Sequence, residues 1–428
     1  MNYNTQNAKI ASITEKTLIV GIDVGSETHY ARAFDWRNYE YSKKPLEFSN
    51  TESGFLTLKA WMEDIAEKHG KTAVIPGMEP TGHYWFALGK FLQDSGMKPV
   101  HVNPHHVKKS KELDDNNPNK NDRKDPKTIA ALVNEGRFSY PYIPTGIYAE
   151  IRSLSNLRFQ TQEELTRIKN RIARWFSIYF PEYKDVYVDL KAVSGRMVLK
   201  AAPLPEDIVK LGAEGVNQIW RNAKLRGAGM KRAKTLVSVA EHSIGSKEAP
   251  EAARIELKNL LNDMDVYAAR LEELLRSIEE KLKEIPYIDK LMAIKGIGLV
   301  TVSGFIAEVG DIGRFDNPKQ LQKLAGYAIV ANDSGKHNGE SRISYRGRKR
   351  LRYVLYEAAI SLIGKNAEFR EIHEYYRGRK ENPLKKMQSV VAIACKVIRV
   401  FYAILTKGVD YDAEKLIGDI RRPQMQAA

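Results

Sequence analysis

The run Leu18-Ile-Val-Gly-Ile-Asp-Val-Gly25 is apolar and rich in β-branched residues, and it carries one carboxylate, Asp23. Such a run reads as a buried strand, and a carboxylate near its end is out of place in a core. A second run of the same kind, Val74-Ile-Pro-Gly-Met-Glu-Pro-Thr-Gly82, closes on Glu79. Two more acids, Asp122 and Asp125, stand three apart in Lys120-Asn-Asp-Arg-Lys-Asp-Pro-Lys127, where a helix is expected to begin. Taken singly, each is an ordinary solvated strand end or helix cap. Taken together, four carboxylates gathered by one small α/β domain suit a hard divalent cation. Such an ion is commonly held by a few carboxylates plus substrate phosphates, in the manner of a two-metal phosphodiester site.

The charge balance agrees with a phosphate-bearing partner. The chain of 428 residues carries a formal net charge of +15, which points to a polyanion. Its length predicts two or three domains, and a hydrophobic fraction of 43% allows proper cores. The single cysteine, Cys395, excludes an intramolecular disulfide and a cysteine-rich zinc site. It lies in Val390-Val-Ala-Ile-Ala-Cys-Lys-Val-Ile-Arg399 and is expected to be a small core residue of an apolar helix. No stretch is expected to reach the length of a membrane-spanning helix, the N-terminus has no signal-peptide plan, and a cytoplasmic location is the simplest expectation.

Residues 16–140 read as one α/β domain. Strands are expected at Leu18–Val24, Tyr30–Phe34 and Leu46–Phe48. A helix carrying Phe55, Leu58, Met62 and Ile65 follows, then the Glu79 strand, a helix through Leu88 and Phe91, and a strand at Pro99–Asn103. The order strand, strand, strand, helix, strand, helix, strand, helix matches a ribonuclease-H-like fold, in which strand-borne and helix-borne carboxylates converge at one edge. The polar stretch His105–Lys120 reads as a loop, with His105 and His106 as loop residues near phosphate rather than metal ligands.

Residues 148–284 read as a helical region. Leu154, Thr161, Leu165, Ile168, Ile172, Trp175 and Tyr179 form one apolar stripe ended by Pro181, and Arg167, Arg171 and Arg174 belong to a basic side of the same helix. Leu257, Leu260, Met264, Tyr267, Leu271, Leu274 and Ile278 step in a heptad pattern that predicts a coiled coil, either within one chain or between copies. Lys184–Gly245 reads as short amphipathic helices with turns at Gly212, Gly227 and Gly229.

Residues 285–410 form the last, mostly helical domain. Leu291-Met-Ala-Ile-Lys-Gly-Ile-Gly-Leu-Val-Thr-Val302 has the form of a helix-hairpin-helix. Gly296 and Gly298 permit the tight turn, and backbone N–H groups at the start of the following helix can hold a phosphate without reading sequence. A segment with Lys336, Arg342, Arg346, Arg348, Lys349, Arg350 and Arg352 against one acid, Glu340, reads as phosphate-binding, with glycines that allow close approach of the backbone. A serine in such a segment can act as a nucleophile toward phosphorus, with arginines stabilising the developing charge.

These residues together resemble the DEDD transposases of the IS110 and IS1111 groups of bacterial insertion sequences, relatives of the Piv and MooV DNA invertases. Gly21-Ile-Asp-Val24, Met78-Glu-Pro-Thr-Gly-His-Tyr84 and Asn121-Asp-Arg-Lys-Asp125 are similar to the three acid motifs. Asn121 and Pro126 depart from the usual Thr and Ala, and neither departure removes an acid. Ile294–Thr301, Ile306–Phe315, Leu324–Tyr327 and Ser334-Gly-Lys336 followed by Arg342–Arg352 are similar to the C-terminal block, with Tyr345 and Arg348 replacing the usual Lys and Asn. The resemblance implies a RuvC-like N-terminal domain whose Asp23, Glu79, Asp122 and Asp125 bind Mg²⁺, with Mn²⁺ as the alternative. It implies a catalytic serine at Ser334, or at Ser341 under another alignment, and a covalent phosphoserine intermediate. It also implies DNA donor and target, a structured noncoding bridge RNA, and a dimer or tetramer. The spacing of three between the last two acids sets the chain apart from ordinary DDE transposases. Two other readings fit the same residues. One is a RuvC-like metal-dependent nuclease or junction resolvase without a covalent intermediate. The other is a non-catalytic nucleic-acid-binding scaffold.

Overall fold

The computed structural model describes residues 3–80, 82–114, 125–330 and 342–426, in two compact units, 1–143 and 144–428. In the first unit the elements run α1 (Tyr3–Ala11), β1 (Thr17–Val24), β2 (Thr28–Phe34), β3 (Leu46–Ser49), α2 (Glu52–Lys68), β4 (Ala73–Met78), α3 (Trp85–Asp94), β5 (Val100–Val102), α4 (Pro104–Asp114), α5 (Asp125–Asn134) and β6 (Phe138–Ser139). The strands pair in the order β3-β2-β1-β4-β5-β6. The β1–β2 and β2–β3 pairs are antiparallel, β1–β4 and β4–β5 parallel, and β5–β6 antiparallel. The expected succession of strands and helices is thus present, and the sheet order is consistent with a ribonuclease-H-like domain.

Why β1 is apolar throughout follows from its place in the middle of the sheet, covered on both faces. Successive side chains alternate between faces. Leu18, Val20, Ile22 and Val24 pack with Leu58 and Met62 of α2 and Leu88 and Leu92 of α3. Ile19 faces the other way, into a core with Val107 of α4 and Ile129, Ala130 and Val133 of α5. The stretch expected as a loop after β5 is in part helical. Pro104 opens α4, and the side-chain oxygen of Asn103 accepts the backbone N–H of His105 at 2.9 Å, an N-cap followed by proline at the first helical position. His105 and His106 therefore lie on α4 rather than in a loop.

In the second unit two long helices dominate, α6 (Gly146–Tyr179) and, after α7 (Tyr183–Val186), α8 (Val193–Ala201), α9 (Pro205–Asn222) and α10 (Met230–Glu241), the helix α11 (Pro250–Leu282). The turns expected in the middle stretch fall at a kink of α9 at Gly212, between α9 and α10 at Gly227, and at Gly229, which caps α10. The helices α6 and α11 are antiparallel partners within the chain. The Trp175 indole N–H donates to the Ala253 carbonyl at 3.0 Å near one end, and Ile151 shares a core with Ile278 and Leu282 near the other. The heptad stripe is therefore satisfied in large part by the chain itself. Leu257, Leu260, Met264 and Ile278 are buried, while Tyr267, Leu271 and Leu274 are only half-buried.

The remaining elements are α12 (Ile288–Met292), α13 (Leu299–Val309), α14 (Pro318–Leu324), β7 (Ile329–Val330), β8 (Arg342–Ile343), α15 (Lys349–Lys365), α16 (Ala367–Gly378), α17 (Lys386–Lys407) and α18 (Ala413–Gln426). They pack about α17, whose Val390, Ile393, Ala394, Val397, Phe401 and Ile404 are buried. This helix corrects one expectation: with 22 residues it is long and apolar enough to cross a membrane by length and composition. Its apolar side is spent on the core of this unit.

Candidate acid cluster and basic surfaces

Strand register brings two of the acids side by side. Ile22 of β1 pairs with Met78 of β4 in parallel register, so Asp23 and Glu79 are each the next residue along neighbouring chains, and neighbouring strands lie about 4.8 Å apart. Alternation puts Asp23 on the face of Ile19 and Gly21, and Glu79 on the face of Ile75 and Gly77. That is the face covered by α5, since Ile19 and Ile75 pack in the α5 core. The third acid, Asp125, is the first residue of α5 and only 7% exposed.

What lets α5 settle so close is the absence of a side chain at Gly21. A Cβ built there would lie 1.8 Å from the Pro126 carbonyl oxygen and 3.0 Å from the Ala130 nitrogen. A Cβ at Gly77, its register partner, would lie 2.6 Å from a methyl of Val133. Two glycines facing each other across β1 and β4 thus form a seat for α5, and the seat holds the Asp125 end of the helix against the strand that bears Asp23. Just past Asp23, the fully buried His29 accepts the Gly25 backbone N–H at 3.2 Å through Nδ1, and burial lowers its pKa. His29 fixes the β1–β2 turn, a role that its place in a plain strand did not announce.

The donor set is all carboxylate, which in kind suits a hard cation. Among the described residues no group of three or more His, Cys, Asp or Glu side chains is placed to hold a metal ion. Asp122, the fourth acid, lies outside the described residues.

In the second unit the glycine turn joins α12 to α13. Gly296 adopts φ +102°, a conformation that L side chains resist, and its carbonyl accepts the Ser361 hydroxyl at 2.7 Å. Gly298 is extended, caps α13, and has open space about it. The strands β7 and β8 pair as a short hairpin; the residues between them, among them Ser334, Lys336 and Ser341, lie outside the described residues.

The basic segment divides by role. Arg342, Arg346 and Lys349 are exposed. Arg348 is instead structural, its guanidinium donating to the Glu308 carbonyl at 2.7 Å and so holding the end of α13. Arg350 donates to the Asn156 side chain and lies 4.5 Å over the Phe159 ring. Arg352 donates to the Ala325 and Tyr345 carbonyls at 3.0 and 3.2 Å. Gly347 is exposed, and a Cβ added to it would lie 2.5 Å from the Gly326 nitrogen, so the position has no room for a side chain. On α6, Arg167, Arg171 and Arg174 are exposed, with Arg167 paired to Glu164 and Arg171 3.9 Å from Glu256.

A sheet of this order with acids at adjoining strand ends, in a chain this basic, is consistent with a protein that processes nucleic acid. Residues 20–181 match a family model described as "Transposase", that of the IS110-type DEDD transposases, and residues 288–377 match one described as "Transposase IS116/IS110/IS902 family". The chain is 24% identical to the insertion element IS116 uncharacterized 44.8 kDa protein of Streptomyces clavuligerus, over 90% of this chain and 94% of the relative. It is 23% identical to the transposase for insertion sequence element IS1111A of Coxiella burnetii, over 78% of each. It is 21% identical to the insertion element IS110 uncharacterized 43.6 kDa protein of Streptomyces coelicolor, over 94% and 97%. The chain belongs to the IS110 family of insertion-sequence transposases, enzymes that act on DNA.

Proposed function

We propose that this transposase cuts and rejoins DNA through a serine nucleophile, Ser334, working with a carboxylate site of Asp23, Glu79, Asp122 and Asp125. The observation that supports the reading is the register that makes Asp23 and Glu79 neighbours at adjoining strand ends, with the Pro126 end of α5 seated on Gly21 two residues before Asp23. Bound by these acids, Mg²⁺ (or Mn²⁺) supplies positive charge to phosphoryl oxygens. The Ser334 hydroxyl attacks phosphorus and forms an O–P bond; the scissile P–O bond breaks, and the departing DNA hydroxyl takes up a proton. A hydroxyl of the new partner strand then attacks the phosphoserine and releases the serine, so the bond energy is conserved and no water is consumed.

A noncoding bridge RNA pairs donor and target in this reading. Gly296 and Gly298 would offer backbone N–H groups to phosphate. Arg342, Arg346, Lys349 and the α6 arginines 167, 171 and 174 would bind the phosphate chain. Lys336 would join them, while Arg348, Arg350 and Arg352 shape the surface. The roles divide as 16–140 for the acids, 148–284 for assembly and 285–410 for the serine. Recombination of two duplexes needs more than one copy, and the half-buried Leu271 and Leu274 offer an apolar strip for a dimer or tetramer; sedimentation with RNA and DNA present measures it.

The test is trapping of a protein–DNA adduct with cognate RNA and DNA. Ser334→Ala is expected to keep binding and to lose both adduct and recombination. Asp23→Asn is expected to keep the fold and lose activity. An adduct that persists in Ser334→Ala and maps to Ser341 moves the nucleophile. Active protein that forms no serine adduct under any condition replaces this reading with the hydrolytic nuclease.

A further inference from the structure

At the foot of the β7–β8 hairpin, α15, α16 and α17 enclose an open cavity of about 1120 Å³. Tyr327, Tyr345, Tyr353, Tyr356 and Tyr376 line it, together with Leu384, Met387 and Val391. Among the described residues no aspartate or glutamate lines it, in a chain that carries 53 of them. The bases at its walls differ in use. Lys396 is buried and donates to the Leu416 carbonyl at 3.2 Å, whereas Arg342, Lys349 and Arg399 are exposed at the mouth.

Two of the rings are open to solvent: Tyr345 is 63% and Tyr353 50% exposed. Tyr345 also sits at φ +54°, the left-handed region that a bulky side chain occupies only at a cost. Strain of this kind gathers where a side chain must be aimed. The Arg352 guanidinium lies 5.3 Å over its ring, and Arg352 in turn is anchored on the Ala325 carbonyl, so the exposed ring is held from behind.

We propose that this cavity receives unpaired nucleotides, DNA or RNA, by stacking bases on Tyr345 and Tyr353 while Arg342, Lys349 and Arg399 meet the phosphates. A duplex hides its base faces, so it has use for the cations but none for the rings. A single strand uses both, and every base has a face to stack. The one-signed charge of the walls selects a polyanion over an apolar segment of protein. The proposal rests on the reading that the chain handles nucleic acid, and on neither Ser334 nor the acids.

The experiment measures binding of the full chain to a short labelled single-stranded DNA, the matching RNA, and the duplex, by fluorescence anisotropy at one fixed salt concentration. Tyr345→Leu and Tyr353→Leu are each expected to weaken single-strand binding by about tenfold or more, the scale of one lost stacking contact. Duplex binding should change less than about twofold. Tyr345→Phe and Tyr353→Phe keep the ring and are expected to bind as the parent, which separates stacking from a folding defect. Loss confined to DNA or to RNA supports the proposal and names the source. Equal loss for single strand and duplex, or no loss for either single strand, overturns it. A parent protein that binds neither single strand nor duplex overturns the nucleic-acid reading along with it.

Discussion

Adding one methyl group at Gly21 tests how the acid cluster is built. In Gly21→Ala the new Cβ would stand 1.8 Å from the Pro126 carbonyl oxygen, and Cβ atoms do not come closer than about 3.0 Å to a neighbour, so β1 and the start of α5 must part by about 1.2 Å or more. The obstacle is backbone and has no rotamer through which to escape. Overpacking costs about 1–3 kcal/mol when side chains can adjust, so a loss of about 3 kcal/mol is expected here. For a unit of this size that is a fall in Tm of roughly 6–12 °C. In the proposed site the same movement would shift Asp125 relative to Asp23 and Glu79. A misplacement of about 1 Å at a reacting centre costs on the order of 10²-fold in rate, so residual recombination by the folded fraction should fall by at least that factor. The assay pairs calorimetric unfolding with a recombination assay run well below the lowered Tm. Gly364→Ala is the control: this exposed glycine lies in the last turn of α15 with nothing near its missing side chain, and a change smaller than about 1 kcal/mol is expected. A Gly21→Ala protein with the parent's Tm and activity refutes the seat as the device that positions Asp125.

Two further outcomes concern pH. His101 on β5 packs edge-on against Trp85 at 4.2 Å, and burial lowers its pKa from 6.5 to about 4; a buried neutral imidazole stabilises fully above the unfolded value and loses that contribution as pH falls toward 4. Denaturant titrations across that window should show the slope in the parent and its absence in His101→Phe. Asp207 is opposed by burial, but the Arg254 guanidinium, bonded at 2.8–3.2 Å, and the Leu204 N–H hold its pKa below the ordinary 3.8. That contribution persists above the unfolded pKa and is lost only as pH falls through the lowered folded value. Arg254→Gln should therefore unfold in acid at a higher pH than the parent; an unchanged acid midpoint would count against the pair.

The strands were legible because burial on both faces demands apolar residues all along β1, and an acid there stands out. The helix α4 was hidden by its polar composition, although Asn103-Pro104 was a start signal. The middle helices were legible as a heptad stripe, but periodicity says what a face wants and not whose face it meets; α6 of the same chain met most of it. The basic run overstated its own surface, because Arg348 and Arg352 are turned to backbone carbonyls, and charge alone does not distinguish a phosphate ligand from a carbonyl ligand. The tyrosine cavity was not legible at all. Tyr345, Tyr353 and Tyr376 meet there from three separate segments, and no local pattern joins them.

The antiparallel pair α6 and α11 has a mechanical consequence. Ile151 belongs to the core around α17, and Trp175 to the core built with α8, α9 and α10. At 1.5 Å per residue the two anchor points are about 36 Å apart. A hydrogen-bonded helix does not shorten without breaking its ladder, and a second helix braces it along this span. The two cores are thus held as the ends of a stiff strut. Over this span a tilt of about 3° at one end corresponds to a displacement of about 2 Å at the other, a lever arm whose length is set by the number of residues between the anchors.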